Sequence, residues 1–225
     1  LVNPWNPVPQ DFSITLAQIE GSDYSVDERC VDALNQMMAH CWWAGNRPVV
    51  CSAYRTPEKQ EQLFAKAVAK WMGFGLSRAD AEREAAQETA VPGTSEHQAG
   101  LAVDIIDANY PKLNEKQAAM PTQKWLMEHC WEYGFILRYP EDKSELTGII
   151  YEPWHYRYVG VEAAQAIREQ GLCLEEYLQW RAQYQSAVAW AWEKGITASA
   201  TVEGFAPQST CTRAQLVTFL HHALT

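Results

Sequence analysis

The chain has 225 residues, 47% of them hydrophobic, which fits one large domain, or one domain plus a small appendage, with a core that needs no covalent staples. Its 18 basic and 28 acidic residues give a net charge of −10, which argues against a nucleic-acid-binding face and against electrostatic attachment to anionic lipid. A local basic pocket for a small anionic substrate stays compatible with that total. No apolar run approaches the ~20 residues of a membrane span, and no signal-peptide pattern is visible. The sequence begins Leu1-Val2-Asn3-Pro4, without methionine, and reads as a processed or trimmed fragment whose export signal or anchor would lie upstream.

In chain order, residues 1–26 carry Pro4, Pro7 and Pro9 and are expected to form an extended N-terminal arm. Residues 27–44 place Cys30, Val31, Leu34, Met37, Met38, Cys41 and Trp42 at helical spacing, a core-facing stripe. Residues 48–54 read as a buried strand. Thr56 as N-cap and Pro57 at the first position open a helix to about Trp71. Ser77 and Asp80 cap another, which runs to about Thr89. Strands are expected over 101–106, 135–139 and 149–159, and helices over 122–132, 161–170 and 174–185. Pro153 rules against a helix in its segment and suggests an edge or bulge. The elements do not alternate as strand and helix, so the fold class is α+β with a mainly antiparallel sheet and flanking helices. From about residue 186 the chain is richer in Ala, Thr and Trp, which sets a domain boundary near Gln185.

The six cysteines (Cys30, Cys41, Cys51, Cys130, Cys173 and Cys211) include no CxxC pair, so a thiolate metal site is not expected. Cys30 and Cys41 share one predicted helix, about 16 Å apart, too far to bond to each other. Most of the six read as small buried apolar residues.

Three segments carry chemistry. The stretch "SEHQAGLAVD", 95–104, ends an apolar run on Asp104, and a buried carboxylate needs compensation. A cation held with His97 would supply it, since imidazole nitrogen and carboxylate oxygen are both good zinc ligands. The alternative is Asp104 paired with an arginine, with His97 exposed on a loop. In "EPWHYRYVG", 152–160, His155 lies in an apolar strand beside Glu152. His97, Asp104 and His155 would make three protein ligands of an open zinc site, with Glu152 as general base. In an ideal strand, positions 152 and 155 face opposite sides, so the backbone must turn, and Pro153 makes that feasible. The alternative is a satisfied core histidine and an edge glutamate. In "SAYRTPEKQ", 52–60, Arg55 sits where a strand ends and a helix begins. There a guanidinium can grip a carboxylate bidentately, helped by the helix N-terminus. The alternative is an arginine paired with a structural acid.

Together, in order within residues 52–160, the three segments resemble the signature segments of the zinc D-alanyl-D-alanine carboxypeptidases of the VanY type, a group of LAS-type metallopeptidases. The looser resemblance covers about residues 1–184. It implies Zn2+ on His97, Asp104 and His155, Glu152 as catalytic base, and Arg55 on the terminal carboxylate of a peptidoglycan stem peptide. Ser95 and Gln60 would add polar contacts, and Trp154 and Tyr54 would shape the pocket. It also implies removal of a C-terminal D-alanine, outside the cytoplasm or at the cell surface. The alternatives are an L,D-carboxypeptidase acting on tetrapeptide stems and a non-catalytic zinc-containing wall-binding module. Residues 184–224 resemble one S-layer homology motif, through "AVAWAWEKGIT", Phe205–Pro207 and "CTRAQLVTFL". That resemblance implies a contact with cell-wall polymer; the alternative is a small packing appendage.

Overall fold

The computed structural model describes residues 1–196. The chain divides into two compact units, Leu1–Cys173 and a second beginning at Leu174. In the first unit the elements run β1 (Leu16–Gln18), β2 (Ser25–Asp27), α1 (Glu28–Trp43), β3 (Pro48–Ser52), α2 (Pro57–Gly73) and α3 (Arg78–Glu88). They continue with β4 (Ala102–Asp107), α4 (Pro121–His129), β5 (Phe135–Leu137), α5 (Ser144–Thr147), β6 (His155–Tyr158) and α6 (Val161–Gln170). One four-stranded sheet, in the order β3-β4-β6-β5, is antiparallel at each pairing. This is the α+β architecture that the sequence predicts.

Helix α1 covers the sheet with a stripe of Cys30, Leu34, Met37 and Cys41, all buried. They join Val50, Val103, Ile105, Phe135 and Tyr156 in one core. Trp42, expected on that stripe, is instead 53% exposed, its ring under the Arg47 guanidinium at 4.4 Å. It lies on the flank of the stripe, one position past the buried Cys41. Helix α2 opens as expected: Thr56 accepts from the Lys59 amide at 3.2 Å, and Pro57 needs no hydrogen-bond partner for a missing N–H. Helices α2 and α3 pack on each other through Val68, Ala81 and Ala85.

Three expectations are corrected. Residues 1–26 are not an open arm: β1 and β2 pair as a hairpin, and Val2, Ile19 and Val26 are buried. The segment 149–159 is a strand only over His155–Tyr158. The expected helix 122–132 stops at His129 and tightens into a 3-10 turn, Cys130–Tyr133, which Gly134 closes at φ +79°.

Among the described residues of the second unit, helix α7 (Leu174–Glu193) runs through the position near Gln185 where the composition changes. Along it Trp180 stacks on Tyr177, ring centroids 5.9 Å apart, and meets Tyr184 at a tilt, centroids 4.7 Å apart. Most of the segment resembling an S-layer homology motif lies outside the described residues. No helix among the described residues is long and apolar enough to cross a membrane. Cys30, Cys41, Cys51 and Cys130 are free thiols, and Cys173 is buried; Cys211 lies outside the described residues.

Candidate metal centre and cleft

Strand register sets the centre. Asp104 of β4 pairs with Ser52 of β3 on one side and His155 of β6 on the other. A carboxylate therefore stands in a row between the start of the Arg55 loop and an imidazole. A register shift between Val50 and Ser52 lets β3 bend there. His97 comes from the 3-10 turn Glu96–Ala99, which ends on Gly100 at φ +66°. Its Nδ1 meets the Ala53 carbonyl at 2.8 Å, and its own carbonyl accepts from the Arg55 amide at 3.1 Å. The two loops lock each other, and His97 Nε2 is left facing Asp104 Oδ2 at 3.3 Å.

His155 turns Nδ1 to Asp104 Oδ1 at 3.0 Å. Glu152-Pro153-Trp154 forms a tight turn before β6, closed by the His155 amide on the Glu152 carbonyl at 3.1 Å. The turn brings Glu152 Oε2 within 3.7 Å of His155 Nδ1, so both face one site. This is the departure from strand geometry that Pro153 predicts. His97, Asp104 and His155 offer donor atoms all within 4.8 Å of one another, and all three are 3% exposed. Two imidazole nitrogens and a carboxylate oxygen at that spacing suit zinc, and three protein donors leave a position open for water or substrate.

Only the first half of the loop alternative holds. Asp104 does pair with an arginine, Arg55 Nη2 at 2.8 Å, but His97 is buried beside it. Arg55 is gripped on three sides: Nε donates to Ser52 Oγ at 2.9 Å and Nη1 to Gln60 Oε1 at 3.4 Å.

The electrostatics follow from burial and from these partners. Burial, with Arg55 adding, lowers His97 to about 4, so its imidazole is neutral and able to ligate at pH 7. Burial opposes ionisation of Asp104, but His97, His155 and Arg55 outweigh it and hold the carboxyl well below its usual range. Burial, reinforced by Asp104, pushes Glu152 up to about 8. Burial works against a charged His155, yet Asp104 and Glu96 together raise it to about 9, so in the metal-free site it holds a proton that a metal would displace.

The centre opens on a cleft of about 810 Å³. Arg55, Ser95, Glu152 and Trp154 are among the residues that line it. Two predicted pocket residues do not. Gln60 is fully buried behind Arg55, its amide donating to the Ala90 carbonyl at 2.7 Å. Tyr54 is absent from the lining and anchors the hairpin instead, its amide donating to the Ser25 carbonyl at 3.0 Å.

Sequence reasoning missed Glu96, Arg138, Arg157 and Tyr139. Glu96 is 1% exposed and accepts from Arg138 Nε at 2.8 Å and Arg157 Nη1 at 2.7 Å. Burial opposes its ionisation, but the two guanidinium groups hold its carboxyl well below the usual range. Tyr139 lays its ring on His155, centroids 4.7 Å apart. One signal was present: Arg138 in "FILRY" and Arg157 in "HYRYV" are charges within apolar runs, and such charges need partners.

Residues 23–161 match the family model VanY, described as D-alanyl-D-alanine carboxypeptidase. A D-alanyl-D-alanine carboxypeptidase of Enterococcus faecalis (strain ATCC 700802 / V583) is 46% identical over 179 residues. The match takes in 79% of this chain and 64% of that protein, so the chain spans under two thirds of that relative's length. A mutant of the vancomycin resistance D,D-pentapeptidase VanY, solved in complex with Zn(II), is 44% identical with a TM-score of 0.72, over 79% of this chain and 97% of that one. VanYB in complex with D-Alanine-D-Alanine is also 44% identical, with a TM-score of 0.73, over 80% of this chain and 96% of that one.

Proposed function

The chain belongs to the VanY family of D-alanyl-D-alanine carboxypeptidases, and on that premise we propose that it is a zinc-dependent D,D-carboxypeptidase. It removes the C-terminal D-alanine of peptidoglycan stem peptides. The observation that carries this reading is the convergence of His97, Asp104 and His155 within 4.8 Å, on a cleft wall shared with Glu152 and Arg55. Bound on those three residues, zinc supplies polarisation of the scissile carbonyl and a water of lowered pKa.

The protein's own groups do the rest. Glu152 takes the proton of the attacking water on a carboxylate oxygen and returns it to the leaving amine. Burial raises its proton affinity, so once it has taken the proton it can hold it until the amine leaves. Arg55, one residue before the N-cap of α2, binds the free terminal carboxylate, aided by the positive end of the helix. Ser52 and Gln60 hold the guanidinium for that task. Ser95 and Trp154 contact the peptide from the cleft wall. The reading includes an extracytoplasmic location, where stem peptides occur, and a contact of residues 186–225 with cell-wall polymer.

The test is metal analysis with a paired assay. The chain is expected to bind one zinc and to release D-alanine from a stem pentapeptide, with Glu152→Ala inactive. Release from a tetrapeptide in its place would shift the assignment to L,D-cleavage. Equal turnover of a pentapeptide with an amidated C-terminus would refute the carboxypeptidase assignment. Retention on purified cell walls, compared with a chain ending at residue 185, tests the C-terminal contact; equal retention removes it.

A further inference from the structure

Glu96 lies between two residues of the metal-binding turn, yet it is not among the three donors that can hold the ion. Its two oxygens are used differently. Oε1 accepts from both Arg138 and Arg157, at 2.8 and 2.7 Å. Oε2 has no hydrogen-bond partner, and it faces His155 Nε2 across 3.6 Å, an atom that is also buried without one. The opposite side of the same ring, Nδ1, faces Asp104 Oδ1 at 3.0 Å. Buried polar atoms without partners are rare, and each calls for a reason. Here two of them face each other.

We propose that Glu96 is a positioning residue for the metal ligand His155. Its Oε2 accepts the hydrogen bond of the Nε2–H in the zinc-bound ring, which fixes the tautomer that leaves the Nδ1 lone pair for the metal. The second nitrogen of a histidine ligand is usually tied in this way, and the tie sets both ring orientation and tautomer. The two arginines complete the arrangement. They fix the carboxylate through Oε1 and offset its charge, so Glu96 does not swing in as a competing ligand. Tyr139, packed on the imidazole, limits the ring's remaining freedom. Glutamine at this position offers one acceptor where two are needed: it can serve the arginines or the imidazole N–H, not both.

The inference rests on the zinc reading given above. The experiment uses the full chain with 15N-labelled histidine, with and without zinc, followed by competition for zinc against a chromophoric chelator. In the zinc-loaded wild type, His155 is expected to show an Nε2–H proton and a metal-shifted Nδ1. Glu96→Gln is expected to lose that N–H signal and to bind zinc about 10–100-fold more weakly. Glu96→Asp, which keeps two acceptor oxygens, is expected to recover part of the affinity. A wild-type His155 with its proton on Nδ1 and the metal on Nε2 overturns the proposal, and this measurement stands if Glu96→Gln does not fold. Zinc affinity of Glu96→Gln within twofold of wild type also overturns it. Either result leaves the zinc reading intact, whereas a wild-type chain that binds no zinc overturns both.

Discussion

Gly100 closes the turn that carries His97, at φ +66°. That left-handed conformation costs a residue with a Cβ about 1–2 kcal/mol. A Cβ there would also overlap Ile14 Cδ1 and would stand 3.1 Å from the Asp27 amide nitrogen. The two neighbours respond differently. Ile14 Cδ1 ends a flexible, half-buried side chain and can turn away, at about 0.5–1.5 kcal/mol if it leaves its rotamer. The Asp27 amide is tied to the Gly100 carbonyl at 2.8 Å and sits at the N-cap of α1, so it moves only with the hairpin. Gly100→Ala is therefore expected to cost about 2–4 kcal/mol. The assay is urea unfolding in the presence of a chelator, so that zinc binding does not mask the change. Made in an Ile14→Ala background, the same substitution should cost about 1 kcal/mol less, because the rotamer part is gone and the backbone part remains. A Gly100→Ala protein within 0.5 kcal/mol of wild type, about the scatter of a neutral surface change, would show that this turn is not held as described.

Three further outcomes follow from the centre and the core. Glu152→Gln should retain zinc, because Glu152 is not one of the three donors, while kcat falls by about 10²–10⁴; retention of a tenth of wild-type kcat argues against Glu152 as the base. Zinc present at about 1,000 times its Kd should stabilise the chain by about 4 kcal/mol, read as a rise in urea midpoint that chelator reverses, and an unchanged midpoint removes the metal reading. Burial pushes the Cys30, Cys41 and Cys130 thiols from 9.0 up to about 12, with Asp27 adding at Cys30 and Asp107 at Cys41. Above pH 9 the unfolded chain loses protons that the folded chain keeps, so stability falls as pH rises towards 12, by about 1.4 kcal/mol per pH unit for each thiol. Below pH 9 these thiols contribute no pH dependence. Cys41→Ala should flatten the stability curve between pH 9.5 and 10.5 by about that amount, and parallel curves would show that Cys41 titrates normally.

What the sequence reveals and what it hides divide along physical lines. Asp104, His97 and His155 stand out because polar chemistry inside apolar runs must be compensated, and that rule needs no partner to be known. Helix caps are equally local: Thr56-Pro57 and Ser77 mark the starts of α2 and α3 correctly. The hairpin β1–β2 escapes because strands of three residues are too short to show alternation, and the prolines ahead of them dominate the reading. The network around Glu96 escapes because its partners are 42 and 61 residues away. Arg138 and Arg157 meet the criterion applied to Asp104, and applying it to cations as well as to carboxylates would have found them. The boundary near Gln185 rests on composition, and alanine-rich sequence continues a helix readily, so α7 passes through it without a break.

Two carboxylates approach the same atom, His155 Nδ1, Asp104 at 3.0 Å and Glu152 at 3.7 Å. The proposed function makes one a ligand and the other a base, and their surroundings supply a physical reason for that division. Asp104 lies in strand register between an imidazole and the loop that delivers Arg55, with His97 on a third side, so its charge is compensated from several directions and persists without metal. Glu152 lies on a turn at the cleft wall, where burial dominates and the Asp104 charge adds to it, so its proton affinity rises. Acid–base sites commonly separate two like groups in this way, one permanently ionised and one poised to exchange a proton. The separation depends on Arg55 and the two imidazoles crowding Asp104 more than Glu152. A substitution that removes the Arg55 charge is therefore expected to act on the proton affinities of the centre as well as on the substrate carboxylate. Arg55→Met should shift the pH–kcat profile in addition to raising KM, and a profile superimposable on wild type would confine Arg55 to binding.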